Sequence, residues 1–411
     1  MSSKTLSRRK FLVSGAALGL APVAPLAPKI SSFALLNDVQ MKIDRIETIP
    51  LRLPVKPYAD GMRKARTFMD YVFVKIHTDS GIVGMGEAPT DAVEKLETIK
   101  LRIDRYTAPK LIGQNPFDIE RNNSLIRVRQ SGKWMARHAT AAINYALYDI
   151  MGKALNVPLH TLLGGLYRNK VLASVEVRRG TPEEMTRHSL EYYEQGIRGI
   201  KAKVGLGPDQ DARSLKAIRE ALGPEISLRA DVNQGYTIQE AIRLCRLAEE
   251  YDVGLELLEQ PTSRTDWEGA NRIMKAVNIP IEADEAADSL YQVYQLLRND
   301  ACDIINTKCS KAGGISGVMK WAAVAEAARK PIVIGTEYGL GNIVAAKVHL
   351  GCAIQNADPV VEFTEMVLHD LLLKKPLELK DGYIEVPTGP GLGWEFDDDK
   401  IAEYTVQGFP K

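Results

Sequence analysis

The chain has 411 residues, of which 45% are hydrophobic, and its 53 lysines and arginines nearly balance its 52 aspartates and glutamates, giving a formal net charge of +1. No basic cluster is interleaved with aromatic residues, so this composition excludes a nucleic-acid-binding protein and predicts a globular protein that buries one large core or two ordinary ones. The four cysteines show no CxxC spacing, which excludes a zinc motif or a disulfide framework.

The first 36 residues differ in kind from the rest of the chain. SRRKF (residues 7–11) is followed by the apolar stretch LVSGAALGLAPVAPLA (residues 12–27), without an acidic residue. Paired arginines before a short apolar run are typical of a twin-arginine signal peptide. A membrane anchor is disfavoured, because glycine and proline crowd the run and it is shorter than the ~20 residues that a span needs. We therefore expect residues 1–36 to direct export through the twin-arginine translocase to the periplasm, with Ser32-Phe33-Ala34 as the cleavage site.

From Met41 the chain predicts a small α+β unit over residues 41–165. MKIDRIETIPLRL and DYVFVKIHTDSGIVGMGEA alternate apolar and polar residues as strands do, and Asp79-Ser80-Gly81 predicts a hairpin turn within the second stretch. ATAAINYALYDIMGKAL repeats its apolar residues every three or four positions, which predicts a helix. We expect the unit to end at LLGG, residues 162–165.

Beyond residue 170 the chain repeats strand, polar turn and amphipathic helix. Eight apolar runs carry the repeat: VLASVEV (171–177), GIKAKV (199–204), ISLRAD (226–231), GLELLE (254–259), IPIEAD (279–284), CDIINTK (302–308), PIVIGT (331–336) and PVVEFTE (359–365). Eight strands alternating with helices predict an α/β protein with a (β/α)8 TIM barrel over residues 170–365, rather than an open doubly wound sheet. No GxGxxG follows the first run, which also disfavours a dinucleotide-binding fold. Residues 366–411 remain as a C-terminal segment.

Charged residues end five consecutive strands of the predicted barrel. Lys203, Asp231, Glu259, Asp284 and Lys308 lie at or next to the last residue of strands two to six. The carboxyl ends of parallel barrel strands converge on one face, where barrel enzymes build their active sites. We therefore expect these five side chains to meet in one site.

Asp231, Glu259 and Asp284 come from adjacent strands and predict a cluster of three carboxylates. Such a cluster repels itself unless a cation compensates it, and an all-oxygen ligand set suits Mg²⁺ or Mn²⁺. Any one of these acids could instead cap the helix that follows its strand. That interpretation explains the three together less well, so we expect a metal site.

Lys201 and Lys203 project from the same face of their strand, because side chains alternate along a strand. An exposed edge strand would account for this pair alone, but not for five charged strand ends. We expect Lys203 and Lys308 to lie on opposite sides of the metal. We also expect Lys201 and the metal together to lower the pKa of Lys203 so that it acts as a base near neutral pH. A small-molecule carboxylate bound at the cation would then lose its α-proton to a lysine by way of an enediolate, which the metal and Lys201 stabilise.

Five motifs in order carry a family resemblance: KAK (201–203), DVN (231–233), LEQP (258–261), ADE (283–285) and INTKCSKAGG (305–314). Together they closely resemble the enolase superfamily, specifically its muconate lactonizing enzyme subgroup, from about Met41 to the end of the chain. The resemblance implies a TIM barrel with an N-terminal capping domain, onto which the C-terminal segment folds back. It also implies that Asp231, Glu259 and Asp284 bind Mg²⁺, that Lys203 and Lys308 are an acid/base pair on opposite faces, and that Lys201 assists. Proteins of this family often assemble as homo-oligomers.

The resemblance determines the half-reaction better than its outcome. Members of the subgroup include racemases and epimerases of amino-acid derivatives, cycloisomerases, dehydratases of sugar or hydroxy acids, and o-succinylbenzoate synthases. Two lysines permit a proton to leave from one face and return to the other, which favours a racemase or epimerase. Cycloisomerases and synthases of the subgroup also keep both lysines, so these alternatives stay open.

Substrate recognition is expected at the end of strand eight. Dipeptide epimerases of the family carry an acid-x-acid pair there, and in this chain Glu365-Met366-Val367 keeps only the first acid. Glu362 and Glu365 are therefore candidates to bind a cationic group of the substrate. Since strand side chains alternate, one of the two could instead face outward.

Four further residues are candidates for substrate binding or for support of the ligands. Arg63 and Arg66 lie in a predicted capping loop and could bind a second carboxylate of the substrate, although loop charges are more often simply solvated. Asn233 and Glu285 belong to the DVN and ADE motifs beside two of the expected metal ligands.

Two readings from other functional classes remain. A Schiff-base lyase would use Lys308 as its nucleophile, but it gives no reason for three acids. A non-catalytic solute-binding protein in the periplasm would have lost at least one catalytic residue, and none is missing from this sequence.

Overall fold

The computed structural model describes residues 41–58, 66–90, 94–126 and 137–409 of the chain. These residues form a parallel barrel with an N-terminal cap, so the predicted fold class is confirmed. The predicted signal peptide lies outside them. No helix in these ranges is both long enough and apolar enough to cross a bilayer.

Three antiparallel strands in the order β1-β2-β3 form the sheet of the N-terminal cap. They are β1 Ile43–Tyr58, β2 Arg66–Thr78 and β3 Val83–Pro89. The predicted hairpin turn joins β2 to β3. Its Gly81 has a φ of 83°, the left-handed conformation that glycine adopts without a steric penalty.

The helices of the cap are α1 Leu96–Arg102, which continues through a π turn at Ile103–Thr107, α2 Ala108–Leu111, α3 Ile119–Ile126, α4 Arg137–Leu155 and α5 Leu159–Leu162. The predicted helix, α4, packs directly on β3. A Cβ atom on Gly84 would lie 2.2 Å from the carbonyl oxygen of Ala146, and one on Gly86 would lie 2.0 Å from that of Ala142. The two glycines of GMGEA thus permit a close approach that a side chain would block.

The barrel strands are β4 Lys170–Val177, β5 Gly199–Lys203, β6 Ser227–Asp231, β7 Leu258–Glu259, β8 Ile281–Ala283, β9 Ile304–Thr307, β10 Ile332–Ile334 and β11 Val360–Glu362. Each strand pairs with the next from β4 to β10, and β11 returns to pair with β4. A single bridge from Ile332 to Ala357 joins β10 to the segment before β11 and nearly closes the ring. Several strands are shorter than predicted. The run expected as a strand over residues 254–259 forms a regular strand only at Leu258–Glu259, and Gly254, with a φ of 61°, lies outside the strand region.

Helices follow every barrel strand: α6 Pro182–Glu194, α7 Pro208–Leu222, α8 Ile238–Glu250, α9 Trp267–Met274, α10 Leu290–Arg298, α11 Cys309–Ala312, α12 Ile315–Ala327, α13 Asn342–Ala353 and α14 Glu365–Leu368. Two of them begin with a complete capping box, formed by Thr181 with Glu184 in α6 and by Thr237 with Glu240 in α8. Such caps fix where the chain turns after a strand. The side chains at the carboxyl ends of the strands therefore face one common side.

The C-terminal segment returns to the barrel and the cap. β12 Tyr383–Glu385 pairs antiparallel with β4. After α15 Asp398–Glu403, the carbonyl oxygen of Tyr404 accepts a hydrogen bond of 2.9 Å from the backbone N–H of Arg52 in β1. Apolar side chains of the segment share one buried cluster with β1 and β2, so the segment completes the packing of the cap.

Glu87 of β3 ties the cap to the barrel. Its buried carboxylate accepts hydrogen bonds from the backbone N–H groups of Leu340, Gly341 and Ile343, with donor–acceptor distances of 2.7 to 3.3 Å. Burial raises the pKa of Glu87 to about 7, although these hydrogen bonds act in the opposite direction. The contact fixes the loop between β10 and α13, which borders the site described below.

We expect the wild-type protein to lose stability relative to a Glu87→Gln variant as the pH rises from 4.5 through about 7. The folded protein binds the proton of Glu87 more tightly than the unfolded chain does. Protonated Glu87 therefore adds to the free energy of unfolding, fully below pH 4.5 and no longer above about pH 7. The full contribution is roughly 3 kcal/mol. Urea unfolding of the wild type and of Glu87→Gln, at pH 4.5 and above pH 7, measures how the difference in their free energies of unfolding changes. Glu97→Gln, at an exposed position, is the control. If the difference in free energy of unfolding between the two proteins stays constant with pH, the pKa of Glu87 is not raised.

Candidate active site

The five charged strand ends lie together at the carboxyl end of the barrel. Lys203, Asp231 and Glu259 are the last residues of β5, β6 and β7, while Asp284 and Lys308 directly follow β8 and β9. Lys203 pairs in register with Asp231, and Asp231 pairs with Glu259. Their side chains are therefore neighbours, at the positions that the sequence predicts.

Two of the predicted metal ligands form ion pairs with the two lysines that flank the cluster. The Nζ atom of Lys203 lies 2.6 Å from Oδ2 of Asp231. On the other side, the Nζ atom of Lys308 lies 2.6 Å from Oδ2 of Asp284, whose Oδ1 is 2.6 Å from Nζ of Lys311. Because Asp231 and Asp284 are 1% and 4% exposed, solvent screens these charges little.

Lys201 lies deeper in the barrel, with 1% of the residue exposed. Its Nζ atom is 2.9 Å from Oε2 of Glu259 and 2.7 Å from Oε2 of Glu362. Burial alone lowers the pKa of Lys201, but the two carboxylates outweigh burial and raise it well above the ordinary value. Lys201 thus remains charged and adds a fixed positive charge below the carboxylate cluster.

The carboxylate cluster fits a divalent cation in its chemistry. Burial and the adjacent Asp231 raise the pKa of Glu259, as expected of crowded carboxylates, and Oε1 of Glu259 is buried without a hydrogen-bond partner among the described residues. Among the described residues, no three His, Cys, Asp or Glu side chains are already arranged around a metal position; each of the three proposed ligands is instead paired with a lysine. Mg²⁺ prefers oxygen ligands such as these crowded carboxylates and the unpartnered Oε1 of Glu259. The site suits this ion once the lysine ammonium groups move aside.

Two carboxylates determine the pKa of Lys203. Burial lowers it, but Asp231 and Glu176 outweigh burial and hold it well above the ordinary value. That Lys201 and the metal together lower the pKa of Lys203 stays a prediction for the metal-bound enzyme. The pKa of Lys308 is likewise lowered by burial and raised overall, with Asp284 as the main charged partner.

The candidates near the ligands and in the capping loop fall into two groups. The backbone N–H of Asn233 donates to Oδ1 of Asp231 at 2.8 Å, so Asn233 helps to orient this carboxylate. The side-chain amide of Asn233 donates to Oε1 of Glu285 at 3.3 Å. Arg63 lies outside the described residues. Arg66 begins β2, but its side chain is not among the described ones.

The structure corrects the expectation for Glu365. Its side chain is fully buried: Oε1 pairs with the ammonium group of Lys347, and Oε2 accepts a hydrogen bond of 2.8 Å from Oγ1 of Thr336. Both oxygens are therefore occupied within the fold, and Glu365 belongs to α14 rather than to a strand. The acid that ends β11 and reaches the site is Glu362.

Glu176 is a site residue that the sequence analysis missed. It is the penultimate residue of β4, and its Oε1 lies 2.8 Å from Nζ of Lys203. Its Oε2 accepts a hydrogen bond of 3.3 Å from the hydroxyl of Tyr338. The rule that located the other groups, an acid at the end of an apolar strand, would have found Glu176 on the first barrel strand.

Glu282 and Lys311 were missed as well. Glu282 is fully buried, and neither of its carboxyl oxygens has a hydrogen-bond partner among the described residues. Burial and the nearby Glu362 raise the pKa of Glu282 to about 8. Lys311 follows Lys308 by three residues in INTKCSKAGG. In a helical turn this spacing places both lysines on the same side, and it is the sequence pattern that could have identified Lys311.

Family models match most of the chain. Residues 45–164 match the N-terminal domain of mandelate racemase and muconate lactonizing enzyme, and residues 184–400 match the enolase C-terminal domain-like family. The two matched ranges correspond to the cap and to the barrel with part of the C-terminal segment.

Characterised relatives and solved structures match over nearly their whole length. Chloromuconate cycloisomerase CbnB of Cupriavidus necator is 34% identical over 379 residues, covering 89% of this chain and 99% of the relative. N-succinyl Arg/Lys racemase from Bacillus cereus superposes with a TM-score of 0.82 at 29% identity, covering 89% and 98% of the two chains. Dipeptide epimerase from Cytophaga hutchinsonii, complexed with Mg and the dipeptide D-Ala-L-Val, superposes with a TM-score of 0.80 at 28% identity, covering 88% and 98%. These proteins are isomerases, and the chain described here is an enzyme of the enolase superfamily, with the N- and C-terminal domains of its mandelate racemase and muconate lactonizing enzyme group.

Proposed function

We propose that this enzyme is a Mg²⁺-dependent racemase or epimerase of an amino-acid derivative. The observation that carries the proposal is the placement of Lys203 on β5 and Lys308 after β9, on either side of the three carboxylates of β6 to β8. A carboxylate substrate bound between the two lysines presents opposite faces of its α-carbon to them. One lysine then removes the α-proton and the other returns a proton to the opposite face.

Asp231, Glu259 and Asp284 are the residues that would hold Mg²⁺. The ion, when bound, acidifies the α-proton of the substrate carboxylate and stabilises the negative charge that develops on its oxygens. Lys201, which contacts Glu259 at 2.9 Å, adds positive charge on the same side.

A lysine must be neutral to accept a proton. The carboxylates next to the two lysines explain how a lysine becomes neutral in this site. The carboxylates that raise the pKa of Lys203 and Lys308 include Asp231 and Asp284, which are also proposed ligands of the cation. When Asp231 and Asp284 turn away from the lysines, they no longer raise the pKa of Lys203 and Lys308. Burial then lowers the pKa of both lysines and favours the neutral amine.

A cycloisomerase is the second candidate function. It is supported by the relative of that name, which shares 34% of its residues with this chain over 379 positions. In a cycloisomerase the same groups would bind the carboxylate and move one proton, while the substrate skeleton closes into a ring or opens from one.

Proton NMR in D₂O with Mg²⁺ tests the choice, using a pooled library of N-acyl amino acids, dipeptides, betaines, sugar acids and muconates. We expect deuterium to enter an α-position while the skeleton stays intact, and this exchange to disappear in Lys203→Met for one stereoisomer. Consumption of a muconate-type diene without α-exchange would replace the racemase by the cycloisomerase. Loss of water from a sugar acid would assign a dehydratase instead.

We also propose that the protein is exported by the twin-arginine translocase and acts as a homo-oligomer in the periplasm. The support for export is the sequence SRRKF before the apolar run of residues 12–27. Cell fractionation of the wild type and of a variant with Arg8 and Arg9 both changed to Lys tests it, and light scattering of the mature protein measures the oligomer. Equal periplasmic amounts of both forms would exclude the twin-arginine route.

A further inference from the structure

The two carboxylates that hold Lys201 have different roles in the site. The Nζ atom of Lys201 lies 2.9 Å from Oε2 of Glu259 and 2.7 Å from Oε2 of Glu362. Glu259 is one of the residues that would hold Mg²⁺, so the ion and Lys201 compete for its oxygens. Glu362 is not one of the proposed ligands. In the loaded enzyme, Glu362 is therefore the carboxylate that fixes where the ammonium group of Lys201 lies.

The carboxylate of Glu362 is oriented by one backbone group. Its Oε2 accepts a hydrogen bond of 2.8 Å from the backbone N–H of Thr336, which lies in the loop after β10, and the same oxygen contacts Lys201. Oε1 of Glu362 has no hydrogen-bond partner among the described residues. The position of Thr336 thus determines where the carboxylate of Glu362, and with it Lys201, can lie.

A buried ion pair holds both Thr336 and Glu362. It joins Lys347, in the middle of α13, to Glu365, the first residue of α14, and both residues are 0% exposed. Oε2 of Glu365 accepts a hydrogen bond of 2.8 Å from Oγ1 of Thr336. The Nζ atom of Lys347 donates to the backbone carbonyl of Glu362 at 2.6 Å. The pair therefore fixes the main chain of Glu362 and also the residue whose N–H orients its carboxylate.

Stability alone gives little reason for an ion pair at this place. Removing two charges from water is costly, and apolar side chains of similar volume often serve a fold as well or better. Apolar side chains could not make the hydrogen bonds to Thr336 and to the carbonyl of Glu362. Both of these bonds are directional, and both lead to the carboxylate that contacts Lys201.

We propose that the buried pair of Lys347 and Glu365 positions Lys201 in the active site, acting through Thr336 and Glu362. Lys347 and Glu365 are shut off from the substrate by their burial, so they are positioning residues and not catalytic ones. The inference rests on the proposed function in one respect, because it takes Lys201 to stabilise the negative charge that develops on the substrate. The position of Lys201 can be measured without that assumption.

The choice of variants follows from the burial of the pair. Lys347→Met alone would leave the carboxylate of Glu365 buried and unpaired, which is strongly destabilising, so the main variant combines Lys347→Met with Glu365→Met. Thr336→Val replaces the hydroxyl that binds Glu365 with a methyl group, and Thr336→Ser keeps the hydroxyl. The two Thr336 variants leave both charges in place and carry the same test if the double variant does not fold. Lys153→Met is the matched control, since Lys153 pairs with Asp149 within α4 of the cap.

The rate of α-proton exchange in D₂O is measured for each stereoisomer with every variant. The double variant is expected to lose roughly 10- to 100-fold in kcat while KM stays within about threefold, because a charge displaced by about 1 Å stabilises the transition state less although the substrate still binds. Both stereoisomers should lose the same factor, since Lys201 transfers no proton. Thr336→Val should show a smaller loss that Thr336→Ser recovers, and Lys153→Met should show none.

Two kinetic outcomes overturn the inference. One is a double variant with the kcat of the wild type, and the other is a loss confined to one stereoisomer, which would mean that the pair acts through Lys203 or Lys308. Crystal structures of the wild type and the double variant with Mg²⁺ show the position of Lys201 without turnover, and we expect its contact with Oε2 of Glu362 to be broken in the variant. If the wild type exchanges no α-proton, the proposed function fails, while a displaced Lys201 still supports the inference. A Lys201 that keeps its place in the double variant overturns it.

Discussion

Replacing Lys203 or Lys308 with methionine is expected to abolish net racemisation while leaving α-proton exchange in one stereoisomer, and the surviving stereoisomer differs between the two variants. Each ammonium group lies on one side of the carboxylate cluster, against Asp231 or Asp284. A remaining lysine still removes the proton that faces it, exchanges it with solvent and returns a deuteron to the same face. Without its opposite partner it cannot invert the centre, so racemisation falls on the order of 10³-fold or more.

Exchange of each stereoisomer in D₂O is followed by NMR, and inversion is followed by polarimetry on the same samples. Methionine keeps most of the aliphatic stem of lysine, which limits packing changes, and the melting temperatures of the variants report any that remain. Lys320→Met on α12 is the matched control, since Lys320 pairs with Glu120 away from the site. If one variant loses exchange in both stereoisomers while the other loses it in neither, a single base serves both directions and the two-lysine mechanism is wrong.

Removal of the divalent cation is expected to lower the exchange rate on the order of 10³-fold or more, and Mg²⁺ is expected to restore it. The Asp231→Asn variant is expected to show the same loss of exchange rate, and added Mg²⁺ is not expected to restore it. Three buried carboxylates from adjacent strands repel one another, and the resulting crowding is visible in the raised pKa of Glu259, where burial and Asp231 are the main causes. A bound cation relieves this repulsion and should therefore also stabilise the folded enzyme.

Thermal unfolding gives a second measurement of the metal site that needs no substrate. The melting temperature of the wild type should rise with Mg²⁺ and level off, as binding to the folded state alone requires, and that of Asp231→Asn should not change. Asp209→Asn provides the control, because Asp209 is an exposed acid paired with Arg243 on the outer helices. A Mg²⁺ response that survives in Asp231→Asn would place the cation elsewhere.

The sequence predicts the barrel and most of its site because the relevant signals are local. Lys203, Asp231 and Glu259 each end an apolar run, and a polar side chain at that point has only the carboxyl face of a barrel to occupy. Glu176 fits the same rule, yet in VEVRRG it precedes a further valine and two arginines, so the end of the strand is harder to recognise. Its contact with Lys203 comes from the pairing of β4 with β5, in which Glu176 lies opposite Lys201.

The misassignment of Glu365 has a different physical origin. Side chains alternate along a strand, so an error in where the strand ends moves a residue to the wrong face or out of the strand altogether. PVVEFTE contains two acids, and the sequence alone does not decide which of them closes β11. The structure ends the strand at Glu362. Glu365 begins a helical turn, where it forms an ion pair with Lys347 of α13. The pKa of Lys203 likewise depends on its distances to Asp231 and Glu176, which no pattern in the sequence gives.

The pairing of the chain's two ends has a consequence for when the protein can fold. The backbone N–H of Arg52 in β1 donates to Tyr404, and the backbone N–H of Val406 donates to the carbonyl of Pro50. These bonds join segments separated by nearly the whole sequence, and contacts of such long range form late because closing the intervening loop costs entropy first. The ribosome must release the residues around Val406 before β1 acquires these partners. The N-terminal sheet is thus completed only once the C-terminal segment is available, so the finished domain depends on residues far from its N-terminal part.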